Sequence, residues 1–334
     1  MRVSKPAYYD KFKCLAGSCP DSCCKEWSVD VDSSSASYYR ELPGTLGDRL
    51  RQALTDTEDG TIMAIEDGRC PMWRDDGLCR IHAELGEQAL CRVCSQFPRL
   101  RHDYGSFAEL GLELSCPEAA RLILSDKGKE ICCFDDGAPT EADCDEEALS
   151  ILLETRRKAL SLADEERPPE ELLTLLLLYG YQAQEQLDGG EEEEFSSFDA
   201  LKTASALAGS ADIQGFLDFF KGLEILTEDW KQLLAAPHEL KLPDETRQLV
   251  RYLIQRYWLQ AVSDYDLACR VKFIVISCLL VGQLGDSFCR TAQLFSKEIE
   301  NDADNVDDIL DAAYEVRALA DDHLLAMLRM GKGD

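Results

Sequence analysis

The sequence lacks any apolar run long enough to cross a membrane. Its longest apolar stretches, Leu172 to Tyr181 and Phe273 to Val281, are well short of the ~20 residues that a spanning helix needs. The first twelve residues carry Lys5, Asp10 and Lys11 and contain no signal-peptide core. We therefore expect a cytoplasmic protein whose apolar stretches form buried helices.

Basic residues are scarce, since 35 Lys and Arg stand against 64 Asp and Glu, giving a formal net charge of -29. Residues 1–120 hold 14 basic and 20 acidic residues, whereas residues 121–334 hold 21 and 44. A field of this sign repels phosphate backbones and anionic lipid, so we expect neither nucleic acid nor a membrane surface as a partner. The acidity either attracts a basic protein partner or serves only to keep the chain soluble.

Several catalytic motifs are also missing. No Gly-x-Gly-x-x-Gly turn follows a strand, so a Rossmann-type site is not indicated. The chain has no phosphate-binding loop, no zinc-protease histidine pair and no nucleophile elbow. The Cys-x3-Cys-x2-Cys triplet of radical enzymes is absent because Cys24 directly follows Cys23. Histidines are few and scattered, and we interpret each as an ordinary surface or core residue: His82, His102, His238 and His323.

Cysteine, by contrast, is abundant, with 15 residues. Reducing thiol pools keep cytoplasmic cysteines from serving as structural disulfides, so metal binding or catalysis is the leading explanation. Nine of the thiols fall before residue 120, near turn-forming residues: Cys14, Cys19, Cys23, Cys24, Cys70, Cys79, Cys91, Cys94 and Cys116. Three lie in a polar segment (Cys132, Cys133, Cys144), and three lie in apolar helical stretches where inert burial is expected (Cys269, Cys278, Cys289).

The spacing of the N-terminal thiols indicates a metal module. Four of them fall between Cys14 and Cys24, with gaps that let one loop wrap a tetrahedral site while Gly and Pro supply the bends. Cys70 and Cys79 flank Asp75-Asp76-Gly77, which is typical of a hairpin turn and would bring both thiols together. Eight or nine thiols exceed one four-coordinate site, so either two metal centres are present or some thiols are bystanders. Spacing alone does not decide between zinc and iron–sulfur.

Periodicity divides the chain into a small irregular Cys-rich N-terminal module and an acidic all-helical domain, so the fold class is mainly α. Residues 1–125 show short strands near Val29 to Val31, Thr61 to Ile65 and Leu110 to Leu114, and one short helix from Ala83 to Cys91. Residues 126–145 are polar and are predicted to form a linker or long loop. Helical periodicity then fills residues 146–334, with helices predicted near 146–162, 169–188, 197–208, 211–221, 227–236, 244–262, 265–284, 287–300 and 305–330.

A series of short strings runs in order through the first 125 residues. They are Phe12-Lys-Cys14 through Cys23-Cys24-Lys-Glu-Trp27, Gly68-Arg-Cys70-Pro, Leu78-Cys79-Arg-Ile81, Cys94-Ser-Gln-Phe97-Pro-Arg99 and Leu114-Ser-Cys116-Pro-Glu118. Together these strings resemble the flagellin lysine-N-methylase family, within the wider group of proteins that have a cysteine-cluster zinc- or iron-chelating domain. The helical remainder offers no comparable motif.

The resemblance implies methyl transfer from S-adenosylmethionine to lysine side chains of flagellin in the cytoplasm, before export to the bacterial flagellum. It also implies an iron–sulfur centre, with a 4Fe–4S cluster preferred and zinc as the alternative. Carried over residue by residue, the family's cysteines fall on Cys14, Cys19, Cys23, Cys24, Cys70, Cys79, Cys94 and Cys116. Cys91 is an addition to that set and the least secure candidate ligand.

Such a transfer needs a neutral lysine amine, a desolvated slot and in-line placement against the methyl sulfonium. Because aromatic faces attract cations, we expect Trp27, Tyr8 and Tyr9 to line the site. Glu118 would assist amine recognition, and Arg99 would bind the carboxylate of the donor. The alternative is that these aromatic residues pack under the metal loops. A second hypothesis for the whole chain is a non-enzymatic zinc or iron–sulfur adaptor whose acidic helical body binds a basic protein.

Overall fold

The N-terminal third combines short strands with short helices. A computed structural model describes residues 1–23, 28–58, 60–66, 68–127, 131–137, 144–285 and 287–331. The strands are β1 (Arg2–Pro6), β2 (Val29–Val31), β3 (Leu54–Asp56), β4 (Thr61–Met63), β5 (Arg99–Asp103), β6 (Phe107–Leu112) and β7 (Ile131–Asp135). The helices are α1 (Ser33–Glu41), α2 (Gly44–Ala53), α3 (Arg80–Leu85), α4 (Arg92–Gln96) and α5 (Pro117–Ser125).

The strands form two small sheets. The larger has the order β5, β6, β1, β7, and its pairs are antiparallel except for the parallel pair of β1 with β6. Val3 lies opposite Ala108 on one side and Phe134 on the other, so residues more than 100 positions apart meet in one sheet. The smaller sheet is antiparallel, in the order β2, β4, β3.

Ten α-helices follow within the described part of residues 144–331, and the mainly α fold class is confirmed. They are α6 (Glu146–Asp164), α7 (Pro169–Leu187), α8 (Ser197–Leu207), α9 (Ile213–Lys221), α10 (Glu228–Ala235), α11 (Thr246–Tyr257), α12 (Leu267–Gln283), α13 (Phe288–Phe295), α14 (Ala303–Glu315) and α15 (Asp321–Met330). A π-helical turn over Ser296–Glu300 continues α13. In the described residues, no helix has the length and apolar character to span a bilayer.

Helix α12 is the centre of the helical body. All its residues are buried, including the charged Arg270 and Lys272, and it packs against α7, α11 and α14. Side-chain caps fix several helix starts: Asp145 accepts backbone N–H groups at the start of α6, and Asp266 does so for α12. Pro169 occupies the first turn of α7, where its missing N–H costs no helical hydrogen bond.

Two hydrophobic cores are present. The smaller one lies within residues 29–94 and includes Tyr39, Leu50 and Met72. The larger one joins the helical body to Tyr8, Phe12 and the segment from residue 104 to residue 124. It therefore draws on both sides of the predicted boundary at residue 125, and the division into domains stays a prediction.

Three sequence-based expectations differ from the observed elements. The single helix predicted from Ala83 to Cys91 is wrong, because α3 ends at Leu85, where Gly86 adopts a φ of 87° that stops the helix. Strand β7 lies inside the segment 126–145 that was predicted as a linker or long loop. The helix predicted over 305–330 is divided into α14 and α15, since the chain is extended at Val316 and at Ala320.

Candidate functional site

The first thiol group consists of Cys14, Cys19, Cys23 and Cys116. Burial raises the pKa of Cys19, the backbone N–H of Asp21 lowers it, and the Cys14 and Cys23 thiols raise it further. Burial also raises the pKa of Cys116 to about 12; backbone N–H groups at the start of α5 oppose this, whereas Cys19 and Cys14 add to it. Charges influence each other in this way only at short range, so the cysteine loop and the start of α5 converge.

The second thiol group consists of Cys70, Cys79, Cys91 and Cys94, which form part of the smaller core or pack against it. A hydrogen bond with the Cys94 thiol lowers the pKa of Cys91 to about 7, despite the opposing effect of burial. Burial raises the pKa of Cys79, and the thiols of Cys23 and Cys91 add to this effect. Cys23 therefore lies near both thiol groups. The predicted turn between Cys70 and Cys79 is confirmed, with an antiparallel bridge between positions 73 and 79.

One carboxylate fixes the helix that carries part of the second thiol group. Asp32 Oδ1 accepts the backbone N–H of Ser35 at 3.0 Å, which caps α1, and Asp32 Oδ2 accepts the backbone N–H of Arg92 at 2.9 Å, which caps α4. The hydroxyl of Ser34, these N–H groups and the hydroxyl of Ser35 hold the pKa of Asp32 far below its usual range. Because α4 has five residues, its position and that of Cys94 depend on this distant cap.

The side chains of the two thiol groups are of the chemical type that binds a metal through thiolates. Seven described thiols influence one another's pKa values, and Cys70 lies in the same small core as Cys91. Iron–sulfur and zinc centres both take four thiolates. Among the described residues, however, no three Cys, His, Asp or Glu side chains are placed so that they could hold a metal ion. Cys24 lies outside the described residues. The metal ligands therefore stay a prediction.

Asp21 anchors the cysteine loop to the helical body. Its Oδ2 lies 3.4 Å from Arg290 Nη1 and 3.6 Å from Lys297 Nζ, and it accepts a hydrogen bond of 3.1 Å from Gln293 Nε2. Gln293 Nε2 also donates to the carbonyl of Ser115 at 2.7 Å. Since Ser115 immediately precedes the last cysteine of the first thiol group, α13 and its π-helical extension hold both chain segments of that group.

Burial by itself would raise the pKa of Asp21, whose side chain is 8% exposed. The charge of Lys297, the backbone N–H of Ser22, the charge of Arg290 and the hydrogen bond from Gln293 outweigh burial and lower the pKa. Asp21 is therefore a buried, ionised anchor at neutral pH.

The structure brings three of the predicted catalytic residues near one another. Tyr8 is buried, and Tyr9 follows it as the first residue of a short 3-10 helix, Tyr9–Lys11, that comes after β1. The Arg99 guanidinium stacks over the Phe12 ring at 5.2 Å, and its charge lowers the pKa of Tyr9, although burial has the larger, opposite effect. Arg99 therefore lies beside Tyr9. Trp27 lies outside the described residues.

Glu118, the remaining predicted catalytic residue, lies on α5 beside Cys116. Its carboxylate accepts hydrogen bonds of 2.8 and 2.7 Å from the Arg121 side chain, one helical turn away. This ion pair lowers the pKa of Glu118. The carboxylate is therefore ionised, and in this structure it is engaged by Arg121.

Comparison with known proteins adds a second line of observation. The flagellar biosynthetic protein FliU of Salmonella muenchen is 31% identical over 137 residues, which is 37% of this chain and 78% of FliU. Proteins named Lysine-N-methylase from Salmonella typhimurium and Salmonella choleraesuis are also 31% identical over 137 residues, again 37% of this chain but 33% of their own length. The chain belongs to the flagellin lysine-N-methylase family. It spans one third of the length of the two lysine-N-methylases.

No protein-family profile matches this lysine-N-methylase family member, and no solved structure does. The anchor residues on α13 and its π-helical extension were missed from sequence, because Gln293 and Lys297 follow a helical pattern that gives no sign of their distant partner. The only sequence feature that pointed to this contact was Asp21, a carboxylate within the cysteine loop. Cys91, the addition to the family's cysteines, lies within the second thiol group and is hydrogen-bonded to Cys94.

Proposed function

We propose that this chain transfers methyl groups from S-adenosylmethionine to lysine side chains of flagellin in the bacterial cytoplasm. The observation that carries the proposal is its 31% identity to FliU and to proteins named Lysine-N-methylase. Because the chain spans one third of those two methylases, its donor, substrate and activity are all parts of the proposal.

In this reaction the lysine nitrogen forms a bond to the methyl carbon while the carbon–sulfur bond breaks, and the amine loses a proton. The protein must gather a cationic substrate, remove its hydration and align it. The acidic surface of residues 121–334 would attract a lysine-bearing protein. Tyr8 and Tyr9, together with Trp27, are proposed to line the slot, and Glu118 to contact the amine.

We further propose that the two thiol groups hold iron–sulfur centres. The first would use Cys14, Cys19, Cys23 and Cys116, and the second would use Cys70, Cys79, Cys91 and Cys94, with Cys24 as a further donor. The mutual influence of seven of these thiols on their pKa values supports this grouping, and Cys70 is included because it lies in the same small core as Cys91. When bound, such a centre would cross-link loops that are distant in sequence and supply a site for one electron. Zinc is the alternative occupant.

The methyl-transfer proposal is tested with anaerobically purified, iron-replete protein. It is incubated with flagellin and isotopically labelled S-adenosylmethionine, and the intact mass of flagellin is measured. We expect stepwise gains of one methyl group each, mapped to lysine by peptide sequencing. Unchanged flagellin, with a metal-replete chain and the cognate substrate, would refute the proposal.

The metal proposal has a matched pair of cysteine variants. Cys116→Ser removes a member of the first thiol group, whereas Cys278→Ala changes a thiol in α12 whose pKa is raised by burial alone, without any neighbouring thiol. We expect the Cys116 variant to lose about half of its iron per chain and the Cys278 variant to keep all of it. Equal iron content in both, measured after anaerobic reconstitution, would contradict the assignment.

A second candidate, the non-enzymatic metal-stabilised adaptor, is favoured by the chain's coverage of one third of the methylases. An adaptor would bind flagellin or another basic protein without changing its mass. Co-sedimentation together with the mass measurement separates the two candidates, since binding without methylation selects the adaptor.

A further inference from the structure

A cleft lies between the larger sheet and the helical body. Strands β1, β5 and β6 form one side, and α6 and α11 form the other. The empty space in the cleft and at its open mouth amounts to about 620 Å³, of which about 70 Å³ can hold the centre of a water molecule. Leu100, Leu110 and Leu160 give it apolar walls, while charged and polar groups gather among them. Clefts with apolar walls and a few convergent polar groups are typical of small-molecule sites.

Two buried polar atoms of the cleft have no hydrogen-bond partner among the described residues. They are Nη1 of Arg256 on α11 and Nε2 of His102 on β5. The two groups lie near each other, since the pKa of His102 is lowered by burial first and then by the charge of Arg256. An unpartnered buried N–H group costs free energy, so Arg256 Nη1 is suited to a ligand that supplies acceptor oxygens. His102 Nε2 can donate to the same ligand in the neutral tautomer that carries its proton on Nε2.

The guanidinium of Arg256 is held in place by a buried carboxylate. Its Nε lies 3.0 Å from Oε1 of Glu300, a carboxylate with no exposed surface. The hydroxyls of Tyr252 and Tyr257 donate to the same carboxylate at 3.0 to 3.2 Å. This network fixes the guanidinium through Nε, whereas Nη1 is buried and has no partner among the described residues. A rigid, oriented donor of this kind loses little entropy when it binds an anion.

Three cationic side chains line the cleft, and each of them has a carboxylate partner. Lys5, Arg156 and Arg256 line it, and the only acidic lining residue among those described is Glu109. Glu109 is already engaged, because it accepts two hydrogen bonds of 2.7 and 2.6 Å from Arg156. Lys5 is likewise paired with Asp10 at 2.7 Å, and Arg256 with Glu300 at 3.0 Å. The feature that favours an anionic ligand is therefore the unpartnered Nη1 of the Arg256 guanidinium.

We propose that this cleft binds a small organic carboxylate, with Arg256 Nη1 and His102 Nε2 contacting its oxygens. The apolar walls would take the carbon chain of the ligand. This assignment rests on the proposed function: the ligand is the methyl donor, and the bound carboxylate belongs to its amino-acid end. This role was expected for Arg99, but that guanidinium stacks on Phe12 and is not among the described residues that line the cleft.

The ligand is tested by calorimetric titration of the full chain under anaerobic conditions. S-adenosylhomocysteine carries the donor's carboxylate, and 5′-methylthioadenosine keeps the nucleoside and the sulfur but lacks the carboxylate. Free methionine provides the carboxylate without the nucleoside. We expect S-adenosylhomocysteine to bind at least about tenfold more tightly than 5′-methylthioadenosine, since a charge-assisted hydrogen bond is lost in the latter.

Gly111 offers a way to close the cleft without removing any charge. A Cβ atom built at Gly111 meets no heavy atom within 4 Å, so Gly111→Leu would extend into open space. His102→Phe keeps an aromatic ring and removes the nitrogen. Arg256→Gln removes the donor but leaves Glu300 without its charged partner, so its folding is checked by thermal melting. Ala206→Leu on the exposed face of α8 is the control for added bulk.

We expect Gly111→Leu and His102→Phe to weaken binding about tenfold or more while their melting temperatures stay near that of the unaltered chain, and Ala206→Leu to change neither. If S-adenosylhomocysteine binds Gly111→Leu as tightly as the unaltered chain, the donor site lies elsewhere and this proposal fails, whether or not flagellin is methylated. If only methionine binds, and Gly111→Leu abolishes it, the carboxylate site stands and its assignment to the donor fails. If none of the three ligands binds, the cleft proposal is refuted.

Discussion

Replacing Asp21 by Asn should loosen the attachment of the cysteine loop to the helical body. The substitution keeps the shape of the side chain but removes the charge that faces Lys297 at 3.6 Å and Arg290 at 3.4 Å. At 3.6 Å and an effective dielectric of about 20, the attraction to Lys297 is about 5 kcal/mol. Desolvation of both groups cancels a large part of this attraction.

We therefore expect Asp21→Asn to lower the free energy of unfolding by about 2 to 3 kcal/mol. Lys297 is 2% exposed and cannot regain its hydration, whereas Arg290 is 40% exposed and can. The entropy of unfolding of a chain of 334 residues is about 0.7 kcal/mol/K, so the melting temperature should fall by about 3 to 4 °C.

The measurement is thermal unfolding followed by circular dichroism, with a double-mutant cycle that adds Lys297→Met. We expect a coupling energy of about 1 to 2 kcal/mol between Asp21 and Lys297. The control is Glu228→Gln, because the pair of Glu228 with Lys231 spans 3.8 Å with both side chains about two thirds exposed. Its loss should change stability by less than about 0.5 kcal/mol.

The same contacts set the direction of the pH dependence. The pKa of Asp21 is lowered on folding from its usual 3.8, so its stabilising contribution is complete above that value and disappears as the pH falls through the lower, folded-state pKa. The stability difference between the unaltered chain and Asp21→Asn should therefore shrink below pH 3.8. A constant difference across that range, or a coupling energy near zero at neutral pH, would refute the ionised anchor.

Two further substitutions test the packing of the helical body. Gly180→Ala would place a Cβ 2.6 Å from Cγ1 of Val271, so we expect a net loss of about 1 to 2 kcal/mol in urea unfolding, partly restored by adding Val271→Ala. Thr155→Val removes the acceptor of the 3.1 Å hydrogen bond from Trp258 Nε1 and should cost about 1 to 3 kcal/mol, with a fluorescence change of Trp258 as a second readout. No loss in either variant would contradict the packing described.

The helical body was largely predictable, because its helices carry their own signals. Helices α6, α7 and α8 begin and end within two residues of the predicted bounds, since local periodicity and capping residues mark them. Helix α5 and strands β1, β5 and β7 were not predicted. Strand β1 is stabilised by partners more than 100 residues away, which no local pattern contains.

The candidate site was predictable in composition and not in arrangement. The number and spacing of the cysteines predicted a metal module. Their division into two groups depends on how α4 and α5 pack against the N-terminal loop, which the sequence does not show. The cleft was not foreseen, because His102 and Arg256 come from the sheet and from the helical body. Each of them has an ordinary local sequence, and only the packing of β5 against α11 brings them together.

The double role of Asp32 bears on how substitutions in this chain are interpreted. Its carboxylate serves two helix starts 57 residues apart in α1 and α4, at Ser35 and Arg92. A survey of random substitutions scored by bound iron would therefore rank position 32 among the cysteines, although Asp32 would not be a ligand. A list of metal ligands drawn from such a survey would therefore also include residues that only hold a ligand-bearing helix in place.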